Sequence, residues 1–232
     1  MPNTRTLALL LWVGTWSISA PAQNTTGQFW PELGYYIQQG DILRLEVTQS
    51  GAIDKSASGS QGNFSVYVRA ALKPVFRREL RDRPDVYQNR YLSFRAGYRY
   101  RTSLSDGGTA SENRGIIELI PQYHLPWHLI ISNRNRGEFR FIKGQSFSTR
   151  YRGRFQIERD FDLGRLVCTP YVYDEIFYDT RYDRWTPNRY AFGVQLPVGP
   201  HVILDPYYLR QHSSTSTPAH TNVFGFKVNL YF

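Results

Sequence analysis

Cysteine is almost absent. The 232-residue chain holds one, Cys168, so no internal disulfide can form and stability has to come from packing and hydrogen bonding. A lone Cys with no partner motif reads as a small apolar filler. Lysine is scarce as well. Only Lys55, Lys73, Lys143 and Lys227 occur among the 28 basic residues, so the formal charge of +9 is nearly all arginine. Beyond the first 22 residues no stretch approaches ~18 consecutive apolar positions, which excludes a later transmembrane helix. His and Cys never pair at metal-ligand spacing, and the acidic run "YDEIFYD" lacks the pattern of a calcium loop. Neither a metal nor a cofactor is expected.

The start is different in kind. "MPNTRTLALLLWVGTWSISAPAQ" carries a basic residue at Arg5, an apolar run from Leu7 to Ile18 and the small-residue triplet Ala20-Pro21-Ala22. This is the layout of a secretory signal peptide spanning 1–22, with removal near Ala22/Gln23. Residues 23–232 then form a single exported domain. Export argues against a nucleic-acid partner for segments such as "YRYRT" and "RYRGR", although basic residues interleaved with Tyr resemble such a surface.

What the exported part does have is period-two alternation. In "SFSTRYRGRFQIERD", Phe147, Thr149, Tyr151, Gly153, Phe155 and Ile157 share one face, while Ser148, Arg150, Arg152, Arg154, Gln156 and Glu158 share the other. In "RYLSFRAGYRYR", Leu92, Phe94, Ala96, Tyr98 and Tyr100 oppose Ser93, Arg95, Gly97, Arg99 and Arg101. The pattern predicts strands over 28–37, 41–49, 63–73, 90–103, 113–124, 128–142, 146–160, 164–179, 187–197, 201–211 and 219–232. Many run to ~10–15 residues, longer than the ~5–6 usual in globular sheets and enough to cross a bilayer at a tilt. Mean hydropathy is −0.47, which looks soluble, but half of every such strand faces a polar interior.

These features predict an all-β fold, a transmembrane antiparallel β-barrel of 10–12 strands of the outer-membrane type. "LPW", "DFDLG" and "PVGP" read as tight turns on the periplasmic side. "SLSDGGTASEN", "DTRYDRWTP" and "HSSTSTPAH" read as longer external loops. Trp30, Tyr35, Tyr36, Tyr123, Trp127, Tyr178, Trp185, Tyr207, Tyr208 and Tyr231 are candidates for interfacial aromatic girdles. Two points stay open. Eleven strands is an odd number, and "QFWPELGYYI" would then start on the wrong side, so it is either outside the wall or miscounted. The charged connection 77–89 has no evident role.

Several segments carry a family resemblance: "QFWPELGYYI", "KPVFRREL", "YLSFRAGYRYRTSL", "NRGIIELIPQYHLP", "SNRNRGEFRFI", "FSTRYRGRFQIERDF", "TPYVYDEIFYDTRYDRW", "NRYAFGVQLPVGPHV", "PYYLRQ" and the terminal "GFKVNLYF". In this order they resemble a bacterial outer-membrane β-barrel family catalogued only as a domain of unknown function, the domain-of-unknown-function 2490 family. The resemblance implies a fold and a location in the outer membrane of a Gram-negative cell. It implies no catalytic or binding residue.

The polar faces define the candidate site. A basic ladder of Arg95, Arg99, Arg101, Arg134, Arg136, Arg140, Arg150, Arg152 and Arg154 is expected to face the lumen, with Glu118, Glu138 and Glu158 as carboxylate partners. Arg114 and Arg189 fall on the same faces. Of the adjacent pair Asp174 and Glu175, only one can point inward. Such a lumen is either a packed network of ion pairs or a narrow passage favouring small anionic solutes, since rings of Arg select anions. The function expected is therefore an integral outer-membrane protein, structural or weakly anion-passing.

A lipid-modifying enzyme, using "HSS" and "HT" in the 212–221 region, is an alternative. A soluble lipocalin-like carrier is another. The alternating C-terminal positions Phe224, Phe226, Val228, Leu230 and Phe232 resemble the signal read by the barrel assembly machinery. Outer-membrane lipid and lipopolysaccharide phosphates are the other expected partners.

Overall fold

The computed structural model describes residues 25–54, 60–72, 91–104, 111–127, 129–162, 164, 167–212 and 220–232. The expected signal peptide at 1–22, the charged connection 77–89 and most of the two Ser-rich loops fall outside these residues. Eleven long strands are present: β1 (Thr25–Gln39), β2 (Leu43–Asp54), β3 (Gln61–Leu72), β4 (Leu92–Ser103), β5 (Ser111–Leu125), β6 (Leu129–Ile142), β7 (Ser148–Arg159), β9 (Val167–Asp179), β10 (Arg184–Pro197), β11 (Val202–His212) and β12 (His220–Tyr231). A two-residue strand, β8 (Phe161–Asp162), pairs with the start of β9 and extends the β7–β9 hairpin. Each long strand pairs antiparallel with its sequence neighbour, and β1 pairs with β12. The sheet is thus closed, and no long strand leaves an unpaired edge.

The odd count survives because closure is parallel. Thr25 lies opposite His220 and Tyr36 opposite Tyr231, both strands running the same way. The segment "QFWPELGYYI" is therefore a wall strand, and its direction, not its membership, was what even-stranded reasoning could not accommodate. The last residue is stitched to β1 through both of its backbone groups: Phe232 N–H donates to Tyr36 O at 2.9 Å, and Gln38 N–H donates to Phe232 O at 2.8 Å. The rings of Tyr36 and Tyr231 stack across this joint with centroids 4.7 Å apart.

Alternation sorts the side chains as period two requires. Phe94, Tyr98, Ile117, Leu119, Phe139, Phe155, Val172, Phe192 and Phe224 lie exposed on the outside, while Arg44, Glu46, Arg114, Glu118, Arg136, Glu138, Arg152 and Glu175 are buried inside. Polarity is inverted relative to a soluble protein, and this is the architecture of an outer-membrane barrel. Phe224, Phe226, Val228 and Leu230 occupy the outward positions of β12, and Phe232 follows directly after its last residue.

The two ends of the barrel are called here the C-terminal rim, which carries residues 40–42, 126–127 and 198–201, and the opposite rim, which carries 143–147, 180–183 and the start of β1. Turn chemistry is local. In "DFDLG", Gly164 has φ 82° and its N–H donates to Asp162 Oδ1 at 3.0 Å. In "PVGP", Gly199 has φ 80°, the left-handed region that a residue with a Cβ occupies only under strain.

Two expectations need correction. "DTRYDRWTP" is mostly strand, because β9 runs to Asp179 and β10 resumes at Arg184, so the turn between them is short. Among the girdle candidates, Trp30, Tyr36, Tyr207 and Tyr231 sit on the inward parity of their strands. Tyr207 is buried and Trp30 packs against the inner cluster of Tyr171, Tyr173, Ala191, Tyr207, Leu209 and Val223. Tyr123, Trp127 and Trp185 do lie exposed near strand ends.

Candidate functional site: an arginine-lined lumen

The lumen divides by strand. Inward positions of β9 to β12 carry the aromatic cluster together with Glu175, Asp179, Arg189, Asp205 and Lys227, and those of β2 to β7 carry most of the charge. Glu46 on β2 lies against Arg44 at 3.1 Å, Arg69 at 3.2 Å and Arg95 at 2.8 Å. Arg95 also holds Glu118 at 2.5 Å, and Glu118 is bonded by Arg136. Arg136 continues to Glu138 at 3.4 Å, where Arg114 and Arg152 arrive at 3.3 Å and 3.0 Å.

From there the network branches. Glu112 takes Arg114 and Arg140 at 2.6 Å and 2.5 Å, and Arg101 stands 4.0 Å away. Asp179 takes Arg140 and Arg150 at 2.7 Å and 2.6 Å. Glu175 gathers four arginines: Arg134 at 2.5 Å, Arg152 at 2.8 Å, Arg154 at 3.3 Å and Arg189 at 3.7 Å. All of these groups form one connected network.

All nine residues of the sequence-read ladder face the lumen, and eight of them belong to this network. The exception is Arg99, whose Nε donates to Ser65 Oγ at 2.8 Å and which has no carboxylate partner among the described residues. Glu118 and Glu138 are network centres. Glu158 is buried and accepts from Gln156 Nε2 at 2.7 Å. Sequence reading missed Arg44, Glu46, Arg69, Glu112 and Asp179. The first three alternate with Leu43, Leu45, Val47 and Val68, so their inward parity was legible. Glu112 stood in a segment read as loop, and Asp179 at the edge of one.

Glu175 is the inward member of its pair, and Asp174 faces out between Phe155 on β7 and Tyr190 on β10. Its Oδ1 has no hydrogen-bond partner among the described residues. A carboxylate on the lipid side of a barrel wall is unfavourable. Asp174→Val is therefore expected to stabilise the barrel by about 1–2 kcal/mol, read as a rise in the urea midpoint in detergent micelles. An unchanged or lower midpoint would show that the carboxylate has a partner outside the chain.

Charge does not balance in the network. Among the described residues, twelve arginines meet six carboxylates: Glu46, Glu112, Glu118, Glu138, Glu175 and Asp179. The excess is six, or seven with Arg99. Rings absorb part of it through cation–π contact. Arg154 lies 3.8 Å over Tyr173, Arg95 lies 4.3 Å over Tyr67 and Arg152 lies 4.8 Å over Phe177. On the aromatic side, Asp205 accepts from Lys227 Nζ and Tyr171 Oη, each at 2.8 Å.

Inside the network a chamber of about 190 Å³ is lined by seven arginines, 95, 99, 134, 136, 152, 154 and 189, together with Lys227, Tyr67, Tyr173 and one carboxylate, Glu32. A second cavity of about 270 Å³ lies toward the opposite rim. The two share Trp30, Glu32, Arg189 and Tyr207, so the chamber is approached from that rim. No cluster of potential metal ligands occurs among the described residues.

A closed wall, antiparallel except at the β1–β12 joint, an apolar exterior and a charged interior define the class: a β-barrel of outer-membrane type. Comparison with known proteins agrees on a narrower group. The family described as "Protein of unknown function (DUF2490)" matches residues 50–222, and the chain belongs to that family. No curated protein matches the sequence. Among solved structures the chain is similar to the β domain of the Bordetella autotransporter BrkA, with 12% identity, a TM-score of 0.42, and coverage of 79% of this chain and 78% of that one.

Proposed function

We propose that the protein is an integral outer-membrane barrel whose interior is closed by the arginine–carboxylate network, serving as an envelope protein that holds small anions in place of conducting them freely. The observation that carries this reading is the network itself. It links inward side chains of β2, β3, β4, β5, β6, β7, β9 and β10, and a wall of about eleven strands is near the size that side chains can fill. The excess of arginine makes the remaining space attractive to anions and hostile to cations.

The apolar exterior supports placement in lipid, with the C-terminal rim toward the periplasm and the opposite rim outward. It argues against a soluble lipocalin-like carrier, whose apolar face would line the cavity. The lipid-modifying alternative gains little. His212 Nδ1 and His220 Nδ1 stand 3.3 Å apart at the rim, a pairing that brings no orienting carboxylate among the described residues. Lipopolysaccharide phosphates and the assembly machinery are the partners this placement offers, and an export signal over 1–22 accords with it.

The test is in two parts. Membrane fractionation with heat-modifiable gel migration is expected to place the protein with detergent-extracted outer membrane. In planar bilayers the wild type is expected to show no steady open-channel current at neutral pH. Large ohmic steps would sink the closed-lumen reading, and extraction without detergent would sink the placement.

A further inference from the structure

We propose that the arginine chamber is a binding site for a small tetrahedral oxyanion that keeps a proton at neutral pH, phosphate being the type. This rests on the closed-barrel reading above and adds a ligand to it. Three observations converge. First, the chamber is cationic beyond what its neighbours neutralise: among the described residues, the only carboxylate in its lining is Glu32. Second, donors remain unused. The Nε atoms of Arg134 and Arg152 and the Tyr67 hydroxyl are buried without a hydrogen-bond partner among the described residues, and the Arg152 side chain is only 8% exposed. Buried donors normally find an acceptor, and a ligand oxygen supplies one to several donors at once. Third, about 190 Å³ corresponds to roughly six waters at ~30 Å³ each. That admits one oxyanion with part of its hydration, and little more.

Glu32 turns affinity into choice. A carboxylate in a cationic pocket repels a fully deprotonated anion such as sulfate. It accepts a hydrogen bond from the P–OH of monohydrogen phosphate, which sulfate lacks. The chamber should therefore prefer phosphate to sulfate, although the two have the same size and charge. The route from the opposite rim passes Trp30, Glu32, Arg189 and Tyr207, so Glu32 stands at the entrance as well as in the site.

The same chemistry could arrive as inorganic phosphate or as a phosphomonoester on a larger molecule. Isothermal titration of the whole folded barrel in micelles, at fixed ionic strength, would use sodium phosphate, sodium sulfate and a soluble sugar phosphomonoester in separate arms. Phosphate binding is expected, with sulfate at least tenfold weaker. Tighter binding of the phosphomonoester would support the site and name that source.

Arg99→Gln should weaken phosphate at least tenfold. It leaves no carboxylate stranded, so folding is spared, and heat-modifiable migration checks this. Glu32→Gln should erase the preference for phosphate over sulfate. Binding in no arm, Arg99→Gln binding like the wild type, or an unchanged preference in Glu32→Gln would each overturn the proposal. Absence of binding in a barrel that still migrates as folded and carries no current would leave the closed-barrel reading standing.

Discussion

Glu175→Gln is expected to cost about 3–5 kcal/mol of folding free energy, measured by urea unfolding in detergent micelles. Glu175 is fully buried and is the meeting point of Arg134, Arg152, Arg154 and Arg189. Removing one member of a buried ion pair leaves its partner desolvated and uncompensated, which is far more costly than the pair is worth. Here a single neutralisation affects four guanidinium groups, and the surrounding excess of positive charge aggravates each. The informative control is Arg154→Gln. It forfeits the 3.3 Å contact with Glu175 and the 3.8 Å contact with Tyr173, but it leaves three arginines on the same carboxylate and relieves their crowding, so it should stay within about 1 kcal/mol of the wild type. Equal effects from the two variants would mean that carboxylate supply does not limit stability.

Gly97→Ala is the second large effect. A methyl group on residue 97 would stand 2.2 Å from the backbone oxygen of Val66 and 2.4 Å from Cδ1 of Tyr67. Tyr67 is the cross-strand partner of Gly97, and its ring edge occupies the space a Cβ would take. A side-chain tip can swing away, but a paired backbone carbonyl can do so only by breaking the β3–β4 ladder. A loss of about 3 kcal/mol is expected, at the upper end for an overfilled site, with a lower temperature for the shift in gel migration. Gly115→Ala is the control, because its nearest contact is Phe139 Cδ2 at 3.7 Å, and it should be close to neutral. If Gly97→Ala were equally mild, the close packing of Tyr67 against β4 would not matter to the wall.

Both variants concern features of unequal visibility in the sequence. The strands were plain because alternation is local: "RYRGRF" announces two faces without help from any other segment. The inward ladder followed for the same reason. Which carboxylate serves which arginine was not legible. Arg95 reaches Glu46 two strands away on one side and Glu118 on the next strand at the other, an outcome of strand stagger. The choice between Asp174 and Glu175 likewise needed the register of β9 against β7 and β10. Gly97 looked like one more residue on the polar face, because its close approach to Tyr67 depends on a pairing between strands. Parallel closure was the least visible feature. It joins residues 25–36 to 220–231, and no short segment encodes the direction in which two such distant strands meet.

That closure bears on how the chain could be rewired. In a barrel closed by antiparallel ends, the first and last strands begin and finish at one rim. A short linker can then join them, and the chain can be reopened at another turn. Here Thr25 and Phe232 lie at opposite rims, separated along the wall by about twelve residues' rise, or ~40 Å at ~3.3 Å per residue. A linker joining them would have to cross the full height of the barrel, either through a lumen packed with arginine or through lipid that cannot solvate its peptide groups. Circular permutation by a short linker is thus closed to this architecture.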